Sequence, residues 1–318
     1  MARDSVVSAA KVSVGPRYSA RLRKDMVLNK SLYLLALPVV LYYLLFAYKP
    51  MYGIVIAFKD YSAGLGIWKS PWVGLRHFVD FFQSIYFFRV LRNTVLLSLY
   101  SLICGFPAPI VLALLLNELR NQIFKRTIQT ISYLPHFISL VVICGIVRDF
   151  TLSTGVINDL IAALGGERIA MLQHARYYRT IYVASGIWQN VGWGSIVYLA
   201  ALSGIDPRLY EAAVIDGAGR WRQMWHITVP GMMPVVVIML ILSIGRLMSV
   251  GSQKTILLYN PSIYEVSDII SSYVYRQGLQ QFNFSFSTAV NVFDSLVNLS
   301  LLYVANRVCR RLGGIGLW

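Results

Sequence analysis

The sequence predicts an all-α integral membrane protein built on six transmembrane helices. Three observations carry that expectation. Of 318 residues, 57% are apolar and 14% charged, with a mean hydropathy of +0.59, which excludes a disordered chain and an ordinary soluble domain. Six apolar runs are long enough to cross about 30 Å of hydrocarbon as helices of about 20 residues. Finally, the basic residues are unevenly shared among the segments that join those runs.

The runs are 32–58, 93–117, 128–147, 180–205, 227–248 and 286–306. The first holds Pro38, the second Pro107 and Pro109, and the fifth Pro230 and Pro234; neighbouring helices can re-satisfy the carbonyls such prolines free. A shorter first span, ending at Tyr48 before a Lys49-Pro50 turn at the interface, is an alternative. The fifth and sixth runs carry one charge each, Arg246 and Asp294. Segment 59–89 is rich in aromatics, including Trp68, Trp72, Phe81, Phe82, Phe87 and Phe88, and reads as an interfacial belt, with a docking surface as the sharper alternative. Segments 151–179 and 251–285 read as polar outer loops, with a turn at Asn260-Pro261-Ser262.

The net charge of +15 points to the membrane and to no nucleic acid. Segments 1–30, 118–127, 203–227 and 307–318 hold sixteen Lys and Arg in 77 residues, whereas 59–89, 148–179 and 251–285 hold ten in 98. By the positive-inside rule both termini are cytosolic, as an even span count also requires. The expected organisation is a basic cytosolic tail over 1–30, a six-helix membrane domain over 31–306 and a cytosolic tail over 307–318. No cleavage site follows a short apolar core, so the first span reads as an uncleaved anchor. Cys104, Cys144 and Cys309 have no disulfide or metal spacing, and His77, His136, His174 and His226 are scattered. No metal site is expected.

One polar stretch has a specific spacing. Asp206-Pro207 is an N-cap acceptor followed by a first-turn proline, and Gly217 can end the helix in a left-handed conformation, predicting a short helix over 207–216 within the loop 203–227. Inside it stand Glu211-Ala212-Ala213, Asp216 and Gly217, followed by Ile227, Val229 and Pro230. This pattern resembles the cytoplasmic Glu-Ala-Ala loop of permease subunits of ATP-binding-cassette (ABC) importers, departing only in Val229 where that family prefers leucine.

Further stretches resemble the branch that carries oligosaccharides from complex polysaccharides. They include Pro50-Met51-Tyr52-Gly53, Ser70-Pro71-Trp72-Val73-Gly74-Leu75, Gly105-Phe106-Pro107-Ala108-Pro109, Ile131-Ser132-Tyr133-Leu134-Pro135-His136-Phe137 and Arg310-Arg311-Leu312-Gly313-Gly314. The likeness covers roughly 25–318, and its nearest members handle acidic fragments such as alginate or pectin oligomers. Many relatives read Gly-Phe-Glu-Gln after the fifth span, whereas Gly251, Ser252, Gln253 and Lys254 stand here.

The resemblance implies a type I ABC importer permease in the bacterial cytoplasmic (inner) membrane. It implies a second homologous permease, two cytosolic ATPase subunits and an extracytoplasmic solute-binding protein as partners, with oligosaccharide as substrate and lipid around it. Glu211, Ala212, Ala213, Asp216 and Gly217 would form the coupling helix that docks on an ATPase. No Gly-x4-Gly-Lys-Ser/Thr loop occurs, so the chain is expected to be no enzyme, with ATP and Mg2+ held by its partners.

A charge within a membrane costs several kcal/mol unless paired or hydrated, which makes Arg246 and Asp294 candidates for the substrate pathway. Gln189, Asn190, Trp193 and Tyr198 of the fourth run offer amides and aromatic faces suited to sugar. Arg246 and Lys254 lean toward an acidic one. Each of these residues also admits a packing or anchoring role. Other readings remain open: an ABC permease for another small solute, or a proton-coupled secondary transporter using Asp294. A membrane-embedded enzyme would need clustered catalytic groups, which the sequence does not display.

Overall fold

The computed structural model describes residues 25–314 and 316–317. By its contacts the chain falls into two compact units, Met1–Val55 and Ile56–Trp318. Among the described residues the structure is helical, and extended backbone pairs at a single bridge between Lys59 and Trp72. Most of the basic tail over 1–30 lies outside the described residues.

Five helices are long and apolar enough to cross a membrane: Lys30–Phe58, Phe87–Glu118, Leu140–Ala163, Arg220–Ile244 and Phe284–Arg311. A sixth, α8 (Ala175–Ser203), has 29 residues, about 44 Å of helix, and is more polar. The main elements are α1 (Lys30–Tyr43), α2 (Arg76–Gln83), α3 (Phe87–Tyr100), α4 (Pro107–Glu118), α5 (Gln122–Tyr133), α6 (Leu140–Thr151), α7 (Val156–Ala163) and α8. They continue with α9 (Pro207–Ile215), α10 (Val229–Ile244), α11 (Ser252–Leu258), α12 (Tyr264–Ser267), α13 (Ile270–Tyr275) and α14 (Phe284–Gly313).

Three of the prolines leave a common signature. Wide π turns at Leu44–Tyr48, Ser101–Gly105 and Met224–Thr228 each end two residues before a proline, namely Pro50, Pro107 and Pro230. A proline cannot donate to the carbonyl four residues back, and its ring collides with it. Here that carbonyl, on Phe46, Ile103 or His226, lies inside the wider turn, so the helix continues without a break. The first run therefore stays helical through Lys49-Pro50 to Phe58 rather than turning at Tyr48.

Two expectations need correction. The run 128–147 is not one helix: α5 ends at Tyr133, Leu134–Phe137 forms a 3-10 turn, and α6 restarts at Leu140. Pro135 withdraws a donor, Ile138 and Ser139 turn extended, and the Ser139 hydroxyl caps the Val142 N–H. The apolar stretch long enough to span is instead Leu140–Ala163, in which the turn 152–155 separates α6 from α7. The segment 251–285 is likewise no solvated loop. It folds into α11, α12 and α13, and Leu258, Ile263, Ile269, Ile270 and Tyr273 are buried. The belt 59–89 divides similarly: Phe81 is buried, while Trp72, Ile85 and Phe88 stay exposed.

Helix α8 is the axis of the larger unit. It packs along α4, α5 and α10 and reaches α6 and α12. Gly192 permits the approach of α5, because a Cβ there would collide with the Ser132 carbonyl. One cluster joins Ala113, Tyr198, Leu202 and Met232. A second gathers Leu97, Ile143, Tyr178, Tyr182, Leu258 and Ile269, and a third Phe81, Val90, Ile270, Tyr273, Phe286 and Val290.

Between the last two clusters lies a charge that the apolar pattern hides. Asp268 is fully buried. Its Oδ2 accepts from Arg276 Nη2 at 2.6 Å and Arg89 Nη2 at 3.3 Å, and its Oδ1 from the Ser272 hydroxyl at 2.8 Å. Asn93 Nδ2 donates to the Asp268 and Glu265 carbonyls, and Arg179 donates to Asn93 Oδ1. Burial opposes the Arg276 charge, but the hydrogen bond and charge of Asp268 outweigh it and hold the guanidinium pKa above its ordinary value. Removing one member of such a cluster strands the others, at a cost of about 3–5 kcal/mol. Asp268→Ala is therefore expected to lower the Tm in detergent far more than removal of the exposed Arg76–Asp80 pair by Asp80→Ala. Equal Tm values for the two variants would remove Asp268 from its structural role.

Candidate functional site

A cavity of about 500 Å³ opens within the larger unit, a size typical of ligand pockets. Its wall comes from α3 (Ser98), the π turn before Pro107 (Ser101, Gly105), one face of α8 (Tyr182, Gly186, Asn190, Tyr198) and the end of α10 with the turn beyond it (Ser243, Arg246, Ser249). The wall is mostly apolar with dispersed hydroxyls, one amide and one guanidinium. The Ser98 hydroxyl is buried without a protein partner.

Arg246 is exposed and sits two residues past the end of α10. Among the described residues it has no ion-pair partner, whereas two other cavity-lining polar groups are tied to backbone: Ser243 donates to the Met239 carbonyl and Asn190 to the Gly186 carbonyl. Lys254 lies behind the wall. It is 7% exposed, its Nζ donates to the Tyr182 carbonyl at 2.8 Å, and the ammonium stands 4.6 Å from the Tyr182 ring centroid. A Cβ on the cavity residue Gly186 would come within 3.1 Å of that Nζ. Burial pushes the Lys254 pKa down from 10.5 to about 8.

Of the seven pathway candidates, Asn190, Tyr198 and Arg246 line the cavity. Tyr198 is also core, at 2% exposure. Trp193 stands beside it, stacked on His136 with ring centroids 4.7 Å apart, and His136 Nδ1 is 3.1 Å from Asn190 Oδ1. Gln189 and Asp294 do not line the cavity. Asp294 Oδ2 accepts from Asn298, which also accepts from the Met248 N–H and donates to the Ser249 hydroxyl; these bonds brace α14 against the turn after α10. The serines and Tyr182 escaped the sequence reading because a serine in an apolar helix usually bonds its own preceding turn. Among the described residues, no group of three His, Cys, Asp or Glu is placed to hold a metal.

Helix α9 has the local structure its residues dictate. The Asp206 carboxylate accepts from the Arg208 N–H, and Pro207 occupies the first turn. At the other end Gly217 has φ +71°, with Gly217 N–H donating to Val214 and Ala218 N–H to Ala213, a Schellman closure. None of its residues is buried. Glu211 and Ala212 share an exposed surface with Leu209, Val214 and Ile215, the last 86% exposed. A capped helix with an acid amid bare apolar side chains is suited to docking on another protein.

Among the described residues, several helices long and apolar enough to cross a membrane, a cavity in the larger unit and an exposed capped helix fit a membrane transport component. Residues 105–312 match the family described as binding-protein-dependent transport system inner membrane component, and the chain belongs to that family, the permeases of type I ABC importers. It is 48% identical over 301 residues to the polygalacturonan/rhamnogalacturonan transport system permease protein YteP of Bacillus subtilis, covering 94% of this chain and 93% of YteP. Protein LplB of the same organism is 46% identical over 317 residues, 99% of this chain and 98% of LplB. A solved bacterial alginate ABC transporter, in complex with an alginate pentasaccharide-bound periplasmic protein, contains a chain with a TM-score of 0.86 and 42% identity, covering 93% of this chain and all of that one.

Lys254 makes a test of whether charge or packing matters at this wall. Its pKa is lower folded than unfolded, so between about pH 8 and 10.5 the unfolded chain holds a proton the folded chain sheds, and stability rises with pH across that window. Lys254→Met fills similar volume without the charge. We expect its Tm to match or exceed the wild-type value at pH 7 and to lose the rise between pH 8 and 10.5. A clear fall in Tm at pH 7 would show that the ammonium is there for stability.

Proposed function

We propose that this chain is one of two membrane permease subunits of an ATP-driven importer that carries acidic oligosaccharides inward across the bacterial cytoplasmic membrane. The observation that carries the substrate class is the unpaired Arg246 in the cavity wall, with Lys254 buried directly behind that wall. A guanidinium can hold a carboxylate through two parallel bonds, and a second cation in a low-dielectric wall adds attraction without contact. The relatives support the same class, since one is a permease for polygalacturonan and rhamnogalacturonan and another belongs to an alginate importer. Asn190, Tyr198 and the neighbouring Trp193 would supply the amide, hydroxyl and aromatic contacts a sugar backbone needs, whereas Gln189 and Asp294 lie outside the cavity lining.

Energy enters from outside this chain. We assign ATP and Mg2+ to two cytosolic ATPase subunits, and substrate delivery to an extracytoplasmic solute-binding protein. A second homologous permease completes the pathway, and both termini of this chain face the cytosol. ATPase closure would push on α9 through Glu211, Ala212, Ala213, Asp216 and Gly217, and the membrane helices would alternate access to the cavity.

Two experiments test this reading in vesicles carrying the complete importer. Arg246→Gln is expected to cut uptake of a uronate pentasaccharide about tenfold or more, as the loss of a charge-assisted bond of roughly 1.5–3 kcal/mol implies, and to affect a neutral pentasaccharide far less. The effect should shrink as salt is raised. Equal losses on both sugars would refute charge selection.

Glu211→Ala and Gly217→Pro are expected to abolish ATPase stimulation by the loaded binding protein and to leave membrane insertion intact. A cysteine at position 211, in a chain freed of its native cysteines, should label from the cytosolic side alone. Labelling from outside, or normal stimulation in both variants, would overturn the coupling assignment.

A further inference from the structure

No residue of helix α9 is fully buried, and the chain that leaves it passes through Gly217 and Gly219. A glycine-bearing turn is a compliant link, poorly suited to carrying a push from α9 to the membrane. A second, non-covalent connection bypasses it. The Tyr210 hydroxyl lies 3.0 Å from the Thr228 hydroxyl, a hydrogen bond across 18 residues of sequence. Tyr210 is half-buried and directly precedes Glu211, while Thr228 is 2% exposed and closes the π turn Met224–Thr228 at the foot of α10.

The placement of this bond matters because of what α10 carries. From Thr228 to Arg246 is 18 residues, about 27 Å along a helix. One end of that rod is held by Tyr210, and just past the other stands the unpaired guanidinium of the cavity. The π turn Met224–Thr228 precedes that rod on the covalent path from α9, and its widened hydrogen-bond pattern makes it a weak point of that path. A bond fixed on Thr228 decides whether displacement of α9 moves the whole of α10 or is absorbed in that turn.

We propose that Tyr210 and Thr228 form a positioning strut that transmits coupling-helix movement into α10 and so to Arg246. The inference rests on the reading of α9 as the coupling helix. Neither residue touches substrate or nucleotide; the pair acts through α10. Without the bond, ATP hydrolysis continues but is converted less completely into alternation of the cavity.

The test uses the complete importer in vesicles, with its solute-binding protein loaded with a uronate pentasaccharide, and reads uptake per ATP hydrolysed. Tyr210→Phe and Thr228→Val each delete one hydroxyl with little change of volume. Each is expected to lower uptake per ATP several-fold while binding-protein-stimulated hydrolysis stays within about twofold of wild type. The double variant should be no worse than the poorer single one, as two ends of one bond require. Thr228→Ser, which keeps the hydroxyl, should restore the ratio. An unchanged ratio in both single variants, multiplying losses in the double, or uptake and hydrolysis falling in parallel with Tm would each overturn the strut. Glu211→Ala separates the two ideas: if it abolishes transport while Tyr210→Phe keeps a normal ratio, the strut alone fails. If Glu211→Ala is itself without effect, the coupling reading fails.

Discussion

The larger unit is organised around one buried carboxylate. A charge moved wholly out of water costs several kcal/mol unless its oxygens are engaged, and Asp268 meets that requirement with two arginines and a serine hydroxyl. Each partner brings its own element: Arg89 belongs to α3, Ser272 to α13, and Arg276 to the π turn that follows. Asn93 and Arg179 extend the network from α3 to α8. The residues next to Asp268 in sequence, Ile269 and Ile270, enter two different apolar clusters. The segment 251–285 is thereby held against α3, because withdrawing it would strand charges and open two cores at once.

That anchoring shapes the cavity. The turn at 245–251 forms its wall beside α8, and the segment that continues from this turn is the one Asp268 secures. On the opposite side the wall includes the π turn that Pro107 imposes, which brings Ser101 and Gly105 to the lining. A transport pathway needs room, polar groups spaced along it and walls that can move. The π turns answer the last need, since they are places where a helix is continuous yet not locked in a single hydrogen-bond register.

The two cations near the cavity differ in a way that only their surroundings explain. Arg246 lies past a helix end, exposed and unpaired, and is free to bond an incoming anion. Lys254 is occupied by the Tyr182 carbonyl and ring and does not itself line the cavity. Its lowered pKa is the sign of that burial. On the proposed reading Arg246 is a contact charge and Lys254 a background charge, and a cavity of low polarity would make both count for more than they would in water.

The sequence by itself determined the class of fold, the stops of α9 and the family. Hydropathy and helix capping are local or short-range signals, and the Asp206-Pro207 cap and Gly217 act within a few residues of themselves. Pro135 was equally visible, but whether a proline in an apolar run breaks the helix or is absorbed depends on what the neighbouring helices can satisfy. Pro50, Pro107 and Pro230 are absorbed, and the helix at Pro135 is broken. Of the pathway candidates, Asn190, Tyr198 and Arg246 were legible as polar groups in a span, yet nothing local distinguished them from Gln189, which does not line the cavity. Lys254 was legible as a basic group beyond the fifth span, but its burial was not, because loop composition says nothing of burial. Only the tertiary structure decided that the loop is core, since Asp268, Arg89 and Arg276 are separated by up to 187 positions and meet only when the helices pack.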